Sequence, residues 1–223
     1  MEKRILLTII LLSLSIKTFS QENESKKFLF GINIGANLID LDDSWFFEEH
    51  SGKVSYSLGV SAEFVINKRL SLISNINYDK KIMEWNITDY DIGIIEPSFS
   101  NVNDKLKLSY INIPVFLRYY LGKGKKFNIN GGGFYNIALD VRNESIIDAT
   151  GEEILLYQSE NIIDNYDLGI LLGISYKFEL NNKNRFTLEF RNEFGLADIS
   201  QIPEFVEVKT NTLKLILNWE LPL

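Results

Sequence analysis

The chain has 223 residues, 13% of them aromatic, a formal net charge of −7 and no cysteine. Its length suits one domain, and the lack of cysteine excludes a disulfide scaffold and any thiolate metal site. No nucleic-acid partner is expected from so acidic a chain.

The chain opens MEKRILLTIILLSLSIKTFSQ, with Lys3 and Arg4 ahead of a short apolar run and small residues near Ser20. That order reads as a secretory signal peptide over 1–20, cleaved near Ser20, and the run is too short for a lasting anchor. Residues 21–27 form a short N-terminal segment, and 28–223 form the domain. No later stretch is apolar and long enough for a spanning helix, so a membrane position requires a closed barrel, in which every backbone group is paired.

Eight runs alternate with the period of a strand. In FLFGINIGANL, Phe28, Phe30, Ile32, Ile34, Ala36 and Leu38 share one face, and YSLGVSAEFVI repeats the pattern from Tyr56 to Ile66. LSLISNINY follows, with Ile73 and Ser74 out of place. YINIPVFLRYYL carries Pro114, which cannot donate to a ladder and predicts a local bulge or kink. FNINGGGFYNIAL holds three central glycines, which permit a sharp bend or a close approach.

The sixth run, YDLGILLGISYKF, contains a GxxxG spacing, but its nine uncharged residues cannot span as a helix. As a strand it puts Asp167, Gly169, Gly173 and Lys177 on one face, with Leu171 the exception. RFTLEFRNEFGL has Asn192 breaking its apolar face, and TNTLKLILNWEL completes the set. Short links at 67–69, 122–126 and 179–184 alternate with long ones at about 40–53, 79–105, 140–165 and 197–209. Short periplasmic turns and long extracellular loops are the asymmetry of an outer-membrane barrel. The predicted fold is an all-β, eight-stranded, antiparallel up-and-down transmembrane β-barrel.

A soluble ligand-binding barrel also alternates, with its apolar face inward. Aromatic residues near the strand ends of the apolar face, a polar face rich in Gly, Ser and Asn, export and loop asymmetry all favour lipid outside. Glu63, Arg118, Asp167, Lys177, Glu189, Arg191, Glu193, Lys214 and Glu220 then point into the lumen or its mouths. Charges there must pair or be hydrated, so Arg118 and Arg191 are expected to bond Glu63, Glu189, Glu193 or Asp167. An ion-pair network that fills space is preferred over a relay or a narrow pore, because eight strands leave little room. Gly169 and Gly173 are expected to leave space for larger neighbours such as Arg118.

The long loops together carry about −15, and the short turns are net basic. Asp40, Asp42 and Asp43 lack the glycine and terminal glutamate of an EF-hand, and no metal or cofactor is expected. The loop around EWNITDYDIGIIEPSF is unusually apolar and is expected to extend the strands above the membrane. His50, the one histidine, is the only candidate base for a rim hydrolase or acyltransferase. With no GxSxG, HExxH or P-loop pattern beside it, no catalytic activity is expected.

The blocks YINIPVFLRYYL, FNINGGGFYNIAL, DLGILLGISYKF and LEFRNEFGL resemble the PorT-like outer-membrane β-barrel proteins described for Bacteroidetes, over the chain from about Phe28 onward. The resemblance implies an eight-stranded barrel in the outer membrane of a Gram-negative cell. Its founding member is linked to a protein secretion system, and most members have no assigned activity. The expectation is a barrel with a side-chain-filled interior, embedded in outer-membrane lipid. It would act structurally or through partners at its acidic loops or periplasmic turns. The alternative is an accessory of a type IX-like secretion complex.

Overall fold

The computed structural model describes residues 28–42, 50–87, 102–149, 152–159, 164–180, 184–200 and 208–221. The expected leader and N-terminal segment, the Asp43 end of the acidic cluster, most of the apolar stretch and parts of the other long connections lie outside them. Ten strands follow in chain order: β1 (Phe28–Asp42), β2 (His50–Lys53), β3 (Ser55–Asn67), β4 (Leu70–Ile87), β5 (Val102–Tyr120), β6 (Phe127–Ala149), β7 (Glu152–Ser159), β8 (Tyr166–Leu180), β9 (Asn184–Gly195) and β10 (Lys209–Glu220).

Eight of them form the wall. Antiparallel pairing runs β4-β3-β1-β10-β9-β8-β6-β5, and β4 with β5 closes the circle. Closure leaves no wall strand with a free edge, as a hydrocarbon surround requires. The two extra strands lie at the end that carries the long connections: β2 continues the line of β3 along β4, from Lys53 opposite Ile82 to His50 opposite Trp85, and β7 pairs with β6 above β8. Strands β4, β5 and β6 therefore reach well past their neighbours. The stretch assigned to a long loop from residue 79 is strand as far as Ile87 and again from Val102.

The burial pattern is inside out. Ile34, Val60, Ile76, Leu117, Ile129, Leu172, Ile174 and Leu215 face outward and exposed, while Asn37, Asn77, Asn112, Asn130, Asn136, Thr187 and Thr212 are buried in the lumen. In water this arrangement would be strongly unfavourable; in lipid it is what the alternation demands. Aromatic rings mark the edge of the apolar band on the side of the short turns. Phe127, Tyr176, Phe178, Phe186 and Trp219 form a continuous row across β6, β8, β9 and β10, and Phe28 meets Phe64 across β1 and β3. Tyr56 against Tyr78 and Tyr135 against Tyr166 mark the opposite edge. Ten residues separate Tyr166 from Tyr176 on β8, within the roughly 9–11 a tilted strand needs to cross a bilayer.

Two local expectations are corrected. Pro114 produces no bulge: its partner Phe134 on β6 is in register, and on the β4 side pairing lapses from Ser74/Val115 to Asn77/Asn112 and resumes unchanged. The missing N–H costs a ladder bond without displacing the strand. The register shift of the β5–β6 ladder lies instead opposite Ser109 and Tyr110, where β6 carries the extra residue Leu139. The glycine triplet makes no bend either, since Gly131, Gly132 and Gly133 keep continuous register with β5 and β8. Close approach is needed at Gly132, where a Cβ would sit 2.6 Å from the Cβ of Phe116.

Candidate functional site: the charged lumen

Because inward positions recur every second residue on every strand, charged side chains from six wall strands meet in one lumen. At its middle, Lys214 of β10 donates to Asp79 across the barrel at 2.5 Å and ion-pairs with Glu193 at 2.8 Å. Asn112 accepts from the same ammonium at 3.1 Å and donates to Asn136 at 2.7 Å. Asp167 accepts from Asn136 at 2.9 Å and from Thr210 at 2.8 Å. Just above, Lys81 donates to Thr212 at 3.0 Å, and its ammonium lies 5.2 Å from the Tyr110 ring.

Toward the short-turn end, Glu189 holds two guanidinium groups. Arg191 donates to it at 2.7 Å along β9, and Arg118 at 2.8 Å from β5 on the opposite wall. Arg191 also reaches Glu193 at 3.4 Å, and Arg118 reaches Asn130 at 3.0 Å and Glu63 at 3.9 Å. Tyr120 donates to Glu63, and Lys177 pairs with Glu220 at the mouth, where Arg185 joins at 3.4 Å. Charge therefore alternates along the axis, from Glu63 through Arg118, Glu189, Arg191, Glu193 and Lys214 to Asp79.

The lumen is not wholly polar. Ile73, Phe116, Phe134 and Leu171 form a buried apolar cluster on one side, which accounts for the two apolar residues that broke the strand pattern, Ile73 and Leu171. The Arg191 guanidinium lies 4.6 Å from the Phe116 ring centre, so it is held by carboxylates at its edge and an aromatic face beside it. Asn192 and Ser74 face outward, as the alternation placed them.

All the expected interior charges lie in this lumen or at its mouth, but the partners differ in part. Asp167 bonds neither arginine and is held by an amide and a hydroxyl. Gly169 and Gly173 do not make room for Arg118. A Cβ on Gly173 would come 3.4 Å from the Cβ of Arg191, and one on Gly169 would strike the Phe134 ring at 2.7 Å and the Phe194 carbonyl. Sequence reasoning missed Asp79 and Lys81, which it had assigned to a loop. Their signal was present: 79 and 81 continue the inward parity of Asn75 and Asn77.

The arrangement braces the lumen with cross-barrel struts, and every described carboxylate in it touches a cation or hydrogen-bond donor. Such a set fixes register and fills space, because removing one member leaves a buried charge uncompensated.

A family model described as an outer membrane protein beta-barrel domain matches residues 19–201. No curated protein matches the sequence significantly. Among solved structures, the attachment invasion locus protein Ail of Yersinia pestis is similar at 8% identity, covering 87% of this chain and 99% of its own, with a TM-score of 0.40. CarO of Acinetobacter baumannii is similar at 10% identity, covering 83% and 96%, with a TM-score of 0.43. Neisserial surface protein A is similar at 16% identity, covering 85% and 95%, with a TM-score of 0.39.

Proposed function

We propose, from the premise that this chain belongs to the outer membrane protein β-barrel domain family, that it is a non-catalytic barrel with a plugged interior, serving as a platform for partners at its extracellular end. The observation that carries this reading is the set of cross-lumen bonds, Lys214 to Asp79 and Arg118 to Glu189, which brace opposite walls where a pore would need open water. The extension of β4, β5 and β6 beyond the tyrosines at the outer edge supports it, because it raises a scaffold above the lipid surface. The acidic loops carried there suit basic partners. Within the family, the sequence blocks quoted above support a PorT-like member.

The test has two arms. In planar bilayers the purified barrel is expected to give no conductance above the lipid background, and steady channels would defeat the plugged reading. In intact cells, shortening the loop over 88–101 is expected to reproduce the phenotype of deleting the gene while the barrel still inserts. An unchanged phenotype would defeat the platform reading. His50→Ala is expected to leave the phenotype intact; its loss would return the enzyme to consideration.

An accessory role in a secretion complex is the second reading. It is favoured by the shape and charge of the periplasmic mouth.

A further inference from the structure

At the periplasmic end the lumen opens into a cavity of about 930 Å³, lined by Glu63, Lys68, Lys125, Lys126, Lys177 and Arg185 among others. At its inner end Tyr120 donates to Glu63, and Arg118 lies 3.9 Å from the same carboxylate. The rim is set by tight turns. Lys68 and Arg69 lie on the turn from β3 to β4, and Lys123, Lys125 and Lys126 on the link from β5 to β6. Gly122 and Lys125 adopt positive φ there, at 66° and 50°, which folds three lysines into six residues.

The contrast with the lumen is the informative feature. Inside, the charges of both signs are interleaved and bonded. At the rim, Lys68, Arg69, Lys123, Lys125 and Lys126 have no acidic partner among the described residues. Among the described residues the carboxylates lining the cavity are Glu179, opposite Arg185, and Glu63 at the inner end, while Glu220 is taken up by Lys177 and Arg185. Like charges gathered around an opening with low-dielectric walls create a focused positive potential that draws anions from the water outside.

We propose that this vestibule docks an acidic, extended peptide segment of a periplasmic partner protein. Three observations favour that occupant. The cations stand on separate turns around the mouth and do not converge on one point, as capture of a single phosphate would need. Lys68, Lys125 and Lys126 line the opening of the lumen itself, with Phe178 of the aromatic row at its edge. The cavity is large enough for a short stretch of chain, and Leu29 and Val65 give it an apolar wall beside the charges. The periplasmic origin of the partner rests on the outer-membrane orientation given above; the binding itself does not.

The full barrel, refolded into zwitterionic nanodiscs, is titrated with a fluorescein-labelled peptide of alternating Glu and Gly. The same peptide with Gln in place of Glu is the neutral control. The acidic peptide is expected to bind, to weaken as salt rises, and to lose at least about tenfold in affinity in the variant Lys68→Glu/Lys125→Glu/Lys126→Glu. Heat-modifiable gel mobility checks that this variant is folded. No binding, equal binding to the variant or equal binding of the neutral peptide would overturn the proposal. So would a variant that keeps peptide affinity but loses association with phosphatidylglycerol vesicles, because the rim would then read a lipid surface.

Orientation is tested separately with Gly124→Cys, at a position with open space around it in a chain otherwise free of cysteine. Labelling by an impermeant maleimide is expected only after the outer membrane is permeabilised. Labelling of intact cells would overturn the periplasmic partner and the topology, while leaving the peptide result to stand or fall alone.

Discussion

The same strands are built in opposite senses at their two ends. Between the aromatic edges, β5 turns Val115, Leu117 and Tyr119 outward, while Asn112 and Arg118 point into the lumen. Above the outer tyrosines the polarity inverts. Leu106, Leu108 and Tyr110 of β5 turn inward to join Ile39, Leu41, Met83 and Ile199 in a buried apolar cluster. The outward positions there are ion pairs: Lys107 with Glu144 at 2.6 Å, and Lys53 and Lys105 flanking Glu84 at 3.2 and 3.5 Å. One period of alternation thus serves two solvents. Where lipid surrounds the wall the polar groups must satisfy each other inside, and where water surrounds it the apolar groups form an ordinary core.

On β5 the inversion falls between Tyr110 and Asn112, level with Tyr78 on β4, and on β4 it falls further out, between Lys81 and Met83. The β5 inversion agrees with the tyrosine pairs Tyr56–Tyr78 and Tyr135–Tyr166.

Breaking the wall itself should have the largest effect. Gly169→Leu drives a side chain into Phe134 and the Phe194 carbonyl, and is expected to abolish the compact, heat-modifiable band on gels. Lys214→Met comes next. It strands Asp79 and Glu193 in the lumen and should cost about 3–5 kcal/mol in urea unfolding followed by tryptophan fluorescence in lipid vesicles.

Leu108→Ala probes the upper core by the ordinary cavity mechanism and should cost about 2–3 kcal/mol in the same assay. Lys107→Ala, on the water-facing side of that core, should cost less than about 1 kcal/mol, because its pair with Glu144 is part-exposed and screened. If Lys107→Ala proved as damaging as Lys214→Met, the division between the two regions would fail.

Much of this was legible in the sequence because a two-residue period is a local property. All eight wall strands, and the inward placement of Glu63, Arg118, Asp167, Lys177, Glu189, Arg191, Glu193 and Lys214, follow from it. What escaped depends on height and on the far wall. Asp79 and Lys81 were assigned to a loop, although their parity was unbroken. The choice of Asp79 and Glu193 as partners of Lys214 depends on which strands face one another across the lumen, and alternation carries no information on that. Pro114 marked a real defect in the ladder, but whether a missing donor bends a strand depends on neighbours that hold its register.

The inversion of polarity along β5 can be measured directly. Single cysteines at 105, 107, 113, 115 and 117, each carrying a spin label in lipid vesicles, report collision with oxygen, which concentrates in hydrocarbon, and with a water-soluble nickel reagent. The structure predicts oxygen-accessible labels at 113, 115 and 117, and nickel-accessible labels at 105 and 107. Nickel access at 115 and 117 equal to that at 105 and 107 would contradict a membrane-spanning barrel with a polar interior.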